Sequence, residues 1–355
     1  MKALVTGANG FLGRHVVAAL RRRGHGVRAL VRPASRLEGP AWDEIEIVRA
    51  DLRAPGDLTP AFDGIDVLVH LAAAVTGGEE AQLSAAVVGT EKLLEAMVPS
   101  TTRRAVLASS FSVYDWSRIR GTLTEESPIE PAPDLYNRDG YAIAKVWQER
   151  VARRIAAEQG WALTVLRPGF IWGPGNEYLA CLGQTIGPCH LVFGPGTRPP
   201  LTYVENCAEL FARAAEDPRA AGETFNVVDG HEVSAWRYLG DHLQRSGASG
   251  VRLPIPYGLA AAGVASVQWL SNWLFRGKGK LPSLLVPCRF EARFKPLHYS
   301  NRKAREVLGW EPQFGYEESV DLTYGRPRPP AAPSPNGFDA SPSEPAAKPT
   351  MVSTQ

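Results

Sequence analysis

The segment 6–13 constrains the fold of this chain more than any other part of the sequence. It reads TGANGFLG and stands between a short apolar run at 3–5 and a helical pattern over 11–23. A strand, a glycine turn and a helix N-terminus together form a cradle for a pyrophosphate. The glycines let the backbone approach the ligand, and free N–H groups at the start of the helix face its charge. The sequence therefore predicts a dinucleotide-binding site at this turn.

Strand-like and helix-like segments alternate through the first half of the chain. Short apolar runs predict buried strands, and longer stretches with helical spacing lie between several of them. The predicted strands are 27–31, 45–48, 67–70, 105–108 and 163–167, and the predicted helices are 79–97 and 141–158. This order indicates right-handed β-α-β units. We therefore predict an α/β fold of the Rossmann type, with a doubly wound parallel sheet and helices on both of its faces.

The composition changes twice along the chain. From residue 168 Gly and Pro become frequent, as in loops that carry specificity, and further strands (201–204, 224–228) and helices (205–215, 300–308) are predicted there. From residue 325 Pro, Ala and Ser dominate, with too little apolar surface to offset the entropy of ordering. We predict a dinucleotide-binding domain at 1–167, a smaller, loop-rich substrate region at 168–324 interleaved with the Rossmann core, and a disordered tail at 325–355.

Charge and cysteine content narrow the classes of partner and the compartment. The net charge is only +2, so we do not expect nucleic acid as a partner. Cys181, Cys189, Cys207 and Cys288 lack the close spacing of metal ligands, which predicts no bound metal and a reducing, cytoplasmic location. Met1 leads directly into the first strand, without the basic and apolar segments of a signal peptide.

The segment 257–275 has no charged residue and is followed by Arg276, Lys278 and Lys280. Gln268 and other polar residues interrupt its apolar character, so a helix that covers the substrate site is the favoured interpretation. Two alternatives stay open, a helix that lies on a membrane surface and a helix that spans a membrane.

A tyrosine and a lysine four residues apart carry the candidate chemistry. Tyr141 and Lys145 share one face of a predicted helix, and a neighbouring ammonium favours the phenolate. Tyr141 is therefore a candidate general acid/base. Ser110 follows the predicted strand 105–108, and the carboxyl ends of parallel strands line the ligand crevice. Its hydroxyl is placed to bond a substrate oxygen.

Taken together, these motifs resemble an extended short-chain dehydrogenase/reductase, the NAD-dependent epimerase/dehydratase family, over residues 2–320. Within it the 3β-hydroxysteroid dehydrogenase and dihydroflavonol reductase branch is the most similar. Besides the glycine turn, the resemblance rests on DL at 51–52, HLAA at 70–73, SSFSVY at 109–114, YAIAK at 141–145, RPGFIWGPG at 167–175, SNRKA at 300–304 and LGW at 308–310.

The resemblance implies a role for each matching residue. Ser110, Tyr141 and Lys145 would be catalytic. Tyr141 and Lys145 would also bind the cofactor, with Lys145 at the nicotinamide ribose, where it would lower the pKa of the tyrosine. The other implied cofactor-binding residues are Gly7, Asn9, Gly10, Phe11, Leu12 and Gly13 in the turn, Asp51 and Leu52 at the adenine, Leu71, Ala72 and Ala73 in the cofactor bed, and Pro168, Gly169 and Phe170 at the nicotinamide end.

The sequence departs from the family pattern in two places. The family often has an asparagine three residues before the Gly89-Thr90 pair, where this chain has Ala86. At the end of the second strand, NAD-preferring members usually have an acid that binds the ribose 2′-hydroxyl. This chain has Arg32, whose guanidinium suits a 2′-phosphate. We therefore expect NADP, with NAD as the alternative.

Three functions remain in competition from the sequence. The favoured one is an NAD(P)-dependent oxidoreductase that transfers hydride between nicotinamide and an alcohol or ketone of an apolar or steroid-like substrate. A nucleotide-sugar epimerase or dehydratase is the alternative, weakened because Pro199 stands where such enzymes place a diphosphate-binding arginine and Arg198 is displaced by one residue. The third candidate is a redox-sensing protein that binds the dinucleotide without turnover. It is disfavoured because such a protein does not need Ser110, Tyr141 and Lys145 together. The helices 79–97 and 141–158 also suggest a homodimer, because Ala142, Ala152 and Ala156 leave room for close packing. The alternative is that these small residues only pack against the sheet.

Overall fold

The computed structural model describes residues 1–37, 42–54, 56–73, 78–131, 140–276 and 281–325. The disordered tail predicted at 325–355 lies outside these ranges except for its first residue.

A seven-stranded sheet forms the centre of the molecule, and all of its pairings are parallel. In chain order the described strands are β1 (Lys2–Thr6), β2 (Gly26–Val31), β3 (Glu46–Arg49), β4 (Val67–His70), β5 (Arg104–Ala108), β6 (Thr122–Leu123), β7 (Ala162–Pro168), β8 (Phe170–Trp172), β9 (Gln184–Ile186), β10 (Cys189–Phe193), β11 (Leu201–Tyr203), β12 (Thr224–Val227), β13 (Val251–Ile255) and β14 (His298–Tyr299). The order of strands across the central sheet is β12-β7-β5-β4-β1-β2-β3.

Helices cover both faces of this sheet. They are α1 (Phe11–Arg22), α2 (Glu79–Leu83), α3 (Gly89–Met97), α4 (Gly140–Gln159), α5 (Val204–Glu216), α6 (Ala235–Ser246), α7 (Tyr257–Phe275), α8 (Pro287–Phe294), α9 (Arg302–Leu308) and α10 (Tyr316–Tyr324). A π-helical segment, Ser84–Val88, joins α2 to α3. Among the described helices, none is both long enough and apolar enough to cross a membrane.

The alternation of side chains along the central strands builds two cores, one on each face of the sheet. In β1, Ala3 and Val5 join the core beneath α1 and α5, whereas Leu4 joins the core beneath α3 and α4. Successive side chains of a strand point to opposite faces, and a strand buried on both faces must be apolar throughout. The predicted doubly wound parallel sheet is confirmed.

The second half of the chain adds small sheets and an aromatic cluster. Strand β8 pairs with β11, β10 pairs with β9 and β13, and β14 pairs with β6. Trp172 lies at the centre of the cluster, with ring centroids of Tyr203, Tyr238 and Tyr316 at 5.4, 5.2 and 5.8 Å. This core supports the region between the substrate loops and α1.

Most predicted segments agree with the structure to within one or two residues, and two details need correction. The last predicted helix begins at Arg302 rather than at residue 300, because the Ser300 amide pairs with the carbonyl of Leu123. Ala142, Ala152 and Ala156 are buried within this single chain, and the last two belong to the core under the sheet. These alanines therefore do not provide a dimer surface.

Candidate active site

A cavity of about 380 Å³ opens where β1, β2 and β4 end. Its position is that of the ligand crevice of open parallel sheets, beyond the carboxyl ends of the strands. Nine of the residues predicted to bind the cofactor line this cavity: Gly7, Asn9, Gly10, Arg32, Asp51, Leu52, Leu71, Ala72 and Ala73.

The glycine turn has the geometry that a pyrophosphate requires. Gly7 has a φ of +68°, and a Cβ there would lie 2.8 Å from the amide nitrogen of Ala72. A Cβ on Gly13 would lie 2.1 Å from the Gly7 carbonyl oxygen, so the turn and α1 can pack this closely only with glycine at both positions. The first turn of α1 contains no acid, and its free N–H groups favour an anion. The cradle therefore fits a dinucleotide.

Charged side chains lie at the end of the cavity formed by β2 and the segment after β3. Asp51 and Arg53 form an ion pair, with 2.7 Å between Oδ2 and Nη2. Hydrogen bonds from Arg53, together with its charge and that of Arg32, lower the pKa of Asp51 to about 2. Arg53, which the sequence analysis missed, also lines the cavity. Two guanidinium groups and one carboxylate thus face this end of the site.

The three predicted catalytic residues come from two neighbouring elements. Ser110 follows β5 and begins a short 3-10 turn, where its Oγ accepts a hydrogen bond from the Ser112 amide at 3.1 Å. Tyr141 and Lys145 lie on the first two turns of α4, with the lysine Nζ 5.9 Å from the centre of the tyrosine ring. Nζ also donates to the Ala108 carbonyl at 2.7 Å, which ties α4 to the end of β5.

The neighbouring Ser109 does not fit the predicted catalytic role, because its side chain is directed towards Glu149. It is buried, and its Oγ donates a 2.7 Å hydrogen bond to Glu149 Oε2. Glu149 also pairs with Arg167, with 2.5 Å between Oε1 and Nη2, and both side chains are almost fully buried. Burial alone would raise the pKa of Glu149, but the hydrogen bonds and charge of Arg167 outweigh it and lower the pKa. This pair holds α4 against β7.

A chain of buried polar side chains beneath the site was missed by the sequence analysis. Lys145 Nζ donates to Gln148 Oε1 at 2.8 Å, and Gln148 Nε2 donates to Thr90 Oγ1 at 2.9 Å. His70 lies between Thr90 and Thr6, with Nε2 at 2.7 Å and Nδ1 at 2.6 Å from their hydroxyl oxygens. All five side chains are buried. They connect α4 to β1 and β4.

Burial sets the charge states in this network. It lowers the pKa of Lys145 to about 7, against the opposing charge of Glu149. Burial and the Lys145 charge lower the pKa of His70 to about 3, so this imidazole is neutral at physiological pH. The Gln148 amide nitrogen lies 3.2 Å from His70 Nε2. Because the Gln148 amide nitrogen is a donor, His70 Nε2 must accept. The tautomer of His70 that carries its proton on Nδ1 therefore satisfies the network.

The remaining predicted cofactor residues lie beside the cavity rather than in its lining. Phe11, Leu12 and Phe170 pack against the Trp172 cluster. Pro168 ends β7, and the Gly169 amide donates to the Val227 carbonyl at 3.1 Å. A Cβ on Gly169 would lie 2.2 Å from the Pro200 carbonyl oxygen, so this crossing requires glycine. Their contact with a cofactor stays a prediction.

The cradle at β1–α1 and the tyrosine–lysine pair on α4 together define a dinucleotide-dependent α/β enzyme. Comparison with known proteins agrees with this class. The sequence matches the NAD dependent epimerase/dehydratase family over residues 3–228, and the chain belongs to this family of extended short-chain dehydrogenases/reductases.

The relatives named here are dehydrogenases. The chain is 30% identical over 340 residues to a 3 beta-hydroxysteroid dehydrogenase/Delta 5-->4-isomerase of Mycobacterium tuberculosis, covering 90% of this chain and 88% of that protein. It is 26% identical to the decarboxylating sterol-4-alpha-carboxylate 3-dehydrogenase of Bos taurus, covering 91% of each. The chain is therefore an enzyme, and its chemistry is that of an oxidoreductase.

A solved structure supports the fold. The UDP-glucuronic acid 4-epimerase of Bacillus cereus, solved with UDP-glucuronic acid and NAD, superimposes with a TM-score of 0.66 and 20% identity, covering 91% of this chain and 98% of that one.

Proposed function

We propose that this enzyme oxidises or reduces a secondary alcohol/ketone pair on an apolar, steroid-like substrate. The observation that carries the proposal is the juxtaposition of Tyr141, the buried Lys145 and Ser110 at the end of β5. The dinucleotide, bound along the cavity, would supply a nicotinamide ring that accepts or gives a hydride.

Each catalytic side chain has a separate task in this proposal. In the oxidation direction the Tyr141 phenolate would take the hydroxyl proton of the substrate alcohol, and the dinucleotide held by the β1–α1 cradle would be the acceptor of the hydride. Charged Lys145 beside the ring favours the phenolate. Ser110 Oγ, held at the start of its turn, orients the substrate oxygen. Reduction reverses these proton and hydride movements.

Two observations support an apolar substrate over a nucleotide sugar. Aromatic side chains surround the segment after Ser110, where Phe111 and Tyr299 stack with 5.8 Å between ring centroids. Arg198 lies before β11 and forms an exposed ion pair with Glu232 at 2.7 Å, one residue before the position at which nucleotide-sugar enzymes place their diphosphate-binding arginine. The relatives named for sterols and hydroxysteroids point to the same class of substrate.

The cofactor in this proposal is NADP, with NAD as the alternative. Arg32 and Arg53 both line the cavity at the end where the adenosine ribose would lie. A 2′-phosphate is a strong acceptor for guanidinium groups, whereas a 2′-hydroxyl gains little from two cations.

We also propose a cytoplasmic homodimer. None of the four cysteines, all within the described ranges, takes part in a disulfide, as in a reducing compartment. Val88 and Trp147 are exposed on the outer side of the paired helices, and their apolar area suits a symmetric contact.

The test supplies purified protein with NADP⁺ or NAD⁺ and either a 3β-hydroxysteroid or UDP-glucose. With the steroid, we expect the reduced dinucleotide and the ketone product to accumulate in proportion to each other. With UDP-glucose, we expect no reduced dinucleotide to accumulate. Dinucleotide released on denaturing protein purified without added nucleotide is measured in parallel. A tightly retained NAD, with conversion of UDP-glucose and no net reduction, would overturn the proposal in favour of an epimerase.

A further inference from the structure

Helix α7 has one packed face and one bare apolar face. Tyr257, Ala260, Ala261 and Val264 pack against Phe290 and Phe294 of α8 or their neighbours. The side chains on the other side are exposed to solvent. The exposed fraction is 68% for Trp269 and for Trp273, 67% for Leu259 and 54% for Leu274. Trp269 and Trp273 are four residues apart, so their rings lie on the same face of the helix.

Such a surface is unusual for a water-exposed helix. Exposed faces of helices normally carry charged residues, yet the 19 residues of α7 contain none. Scattered apolar side chains on a surface need no explanation, but a contiguous face with two tryptophans marks an interaction site. Tryptophan in particular favours the boundary between water and lipid, because its ring is apolar and its N–H is polar.

The charge around this face indicates what covers it. Residues 251–299 contain seven lysines and arginines and a single acid, Glu291, although the whole chain has a net charge of only +2. Arg252 and Lys295 are held within the fold by backbone carbonyls, but Arg276 is exposed directly after the helix. Lys278 and Lys280 follow Arg276 in the sequence. Basic residues that directly follow an apolar helix complement an anionic lipid headgroup layer.

A chain of contacts leads from α7 to the catalytic serine. Tyr257 stacks on Phe290 at 6.0 Å, and after α8 ends Lys295 Nζ donates to the Trp116 carbonyl at 2.5 Å. Four residues later, Tyr299 stacks on Phe111, the neighbour of Ser110. The packed face of α7 is therefore connected, through α8, to the segment that follows Ser110.

We infer that the exposed face of α7 docks on an anionic membrane surface, with Trp269, Trp273 and their leucine neighbours in the interfacial layer. The helix lies along the bilayer, since its opposite face is fixed against α8. Docking brings the substrate side close to the lipid in which an apolar alcohol dissolves. This consequence rests on the proposed function, whereas the docking itself does not.

The test is co-sedimentation of the full-length protein with vesicles, which needs no activity. Vesicles of phosphatidylcholine alone are compared with vesicles that also contain phosphatidylglycerol, at low and high salt. We expect binding to the anionic vesicles, weakened by salt. The double variant Trp269→Ser/Trp273→Ser should bind at least about tenfold more weakly, because it removes two large apolar side chains from the face that enters the lipid.

Leu322→Ser is the matched control, since Leu322 is 52% exposed on α10, outside the basic region. It should bind vesicles like the unchanged protein, and circular dichroism checks that every variant is folded. Equal binding by the tryptophan variant, or no binding of the unchanged protein to either vesicle, would overturn the inference. So would a dimer that the tryptophan substitutions convert to a monomer without any effect on lipid binding, because a second copy would then cover this face.

Discussion

The Nζ of Lys145 and the Oε1 of Gln148 lie 2.8 Å apart, one helical turn from each other on α4. The glutamine amide is fixed in turn by Thr90, whose hydroxyl accepts from Nε2. At Ala86, where the family often has an asparagine, the chain has no hydrogen-bonding side chain. Gln148 thus gives the buried ammonium a side-chain acceptor on its own helix, and we expect it to position the predicted catalytic pair of Tyr141 and Lys145.

Gln148→Ala should lower kcat/KM by about 10- to 100-fold, as expected for a lost hydrogen bond to a charged group worth roughly 1.5–3 kcal/mol. Without this acceptor the charged form of Lys145 is less stable, and its pKa, already lowered to about 7, falls further. The basic limb of the kcat/KM profile should therefore move to lower pH.

Gln148→Glu should shift that limb in the opposite direction, because a carboxylate stabilises the ammonium. The exposed Gln184 provides the control, and Gln184→Ala should leave the profile unchanged. A uniform loss of activity at every pH in Gln148→Ala would show that the glutamine is only structural.

Tyr141→Phe should abolish turnover and leave dinucleotide binding nearly intact. The substitution removes the hydroxyl that exchanges the proton, while the cavity lining contains no atom of this residue. Turnover is followed with substrate, and binding by calorimetry. The control is Tyr178→Phe, at an exposed tyrosine bonded to Thr185. Substantial turnover in Tyr141→Phe would remove this residue from the catalytic role.

Arg32→Asp should shift the cofactor preference from NADP towards NAD. A carboxylate repels a 2′-phosphate and can accept a hydrogen bond from a 2′-hydroxyl. The two dissociation constants are measured for each variant, and Arg302→Asp, a change of the same charge at an exposed position on α9, is the control. If the ratio of the constants is the same in all three proteins, Arg32 does not recognise the phosphate.

Glu149→Ala should lower the free energy of unfolding by about 3–5 kcal/mol, because it leaves the guanidinium of Arg167 buried without its partner. The double variant Glu149→Leu/Arg167→Met should recover most of the loss, which urea unfolding measures. Since the folded state lowers the pKa of Glu149, this carboxylate stabilises the fold above its ordinary pKa of 4.5 and loses that contribution as pH falls through its folded value. A double variant as unstable as Glu149→Ala would contradict this account.

Local patterns were sufficient to predict the central sheet and the cofactor cradle. Each strand of the sheet is a short apolar run, and the turn at 6–13 carries its own glycines and helix start, so neither depends on distant contacts. Ser110, Tyr141 and Lys145 also follow from positions within single elements. Helix α9 begins later than predicted because the Ser300 amide pairs with the carbonyl of Leu123, a contact with a distant segment that the local pattern does not contain.

The polar network could not be predicted in the same way. His70 and Gln148 are 78 residues apart in the sequence. The local sequence around each of them does not show whether its side chain is buried in a hydrogen-bonded network or exposed to solvent. The exposed face of α7 was hidden for a similar reason. A helix that is apolar all round shows no periodicity, so only its packing against α8 reveals which side is bare.

Strand β12 has a consequence for how such enzymes diverge. It is made by residues 224–227, after much of the substrate region, yet it pairs with β7 to complete the cofactor-binding sheet. A gene fragment that stopped at residue 167 would leave β7 as an open edge and remove α5 from the surface of α1. We therefore expect that the cofactor half does not exchange as an independent cassette, and that a change of substrate arises in loops within an unbroken chain.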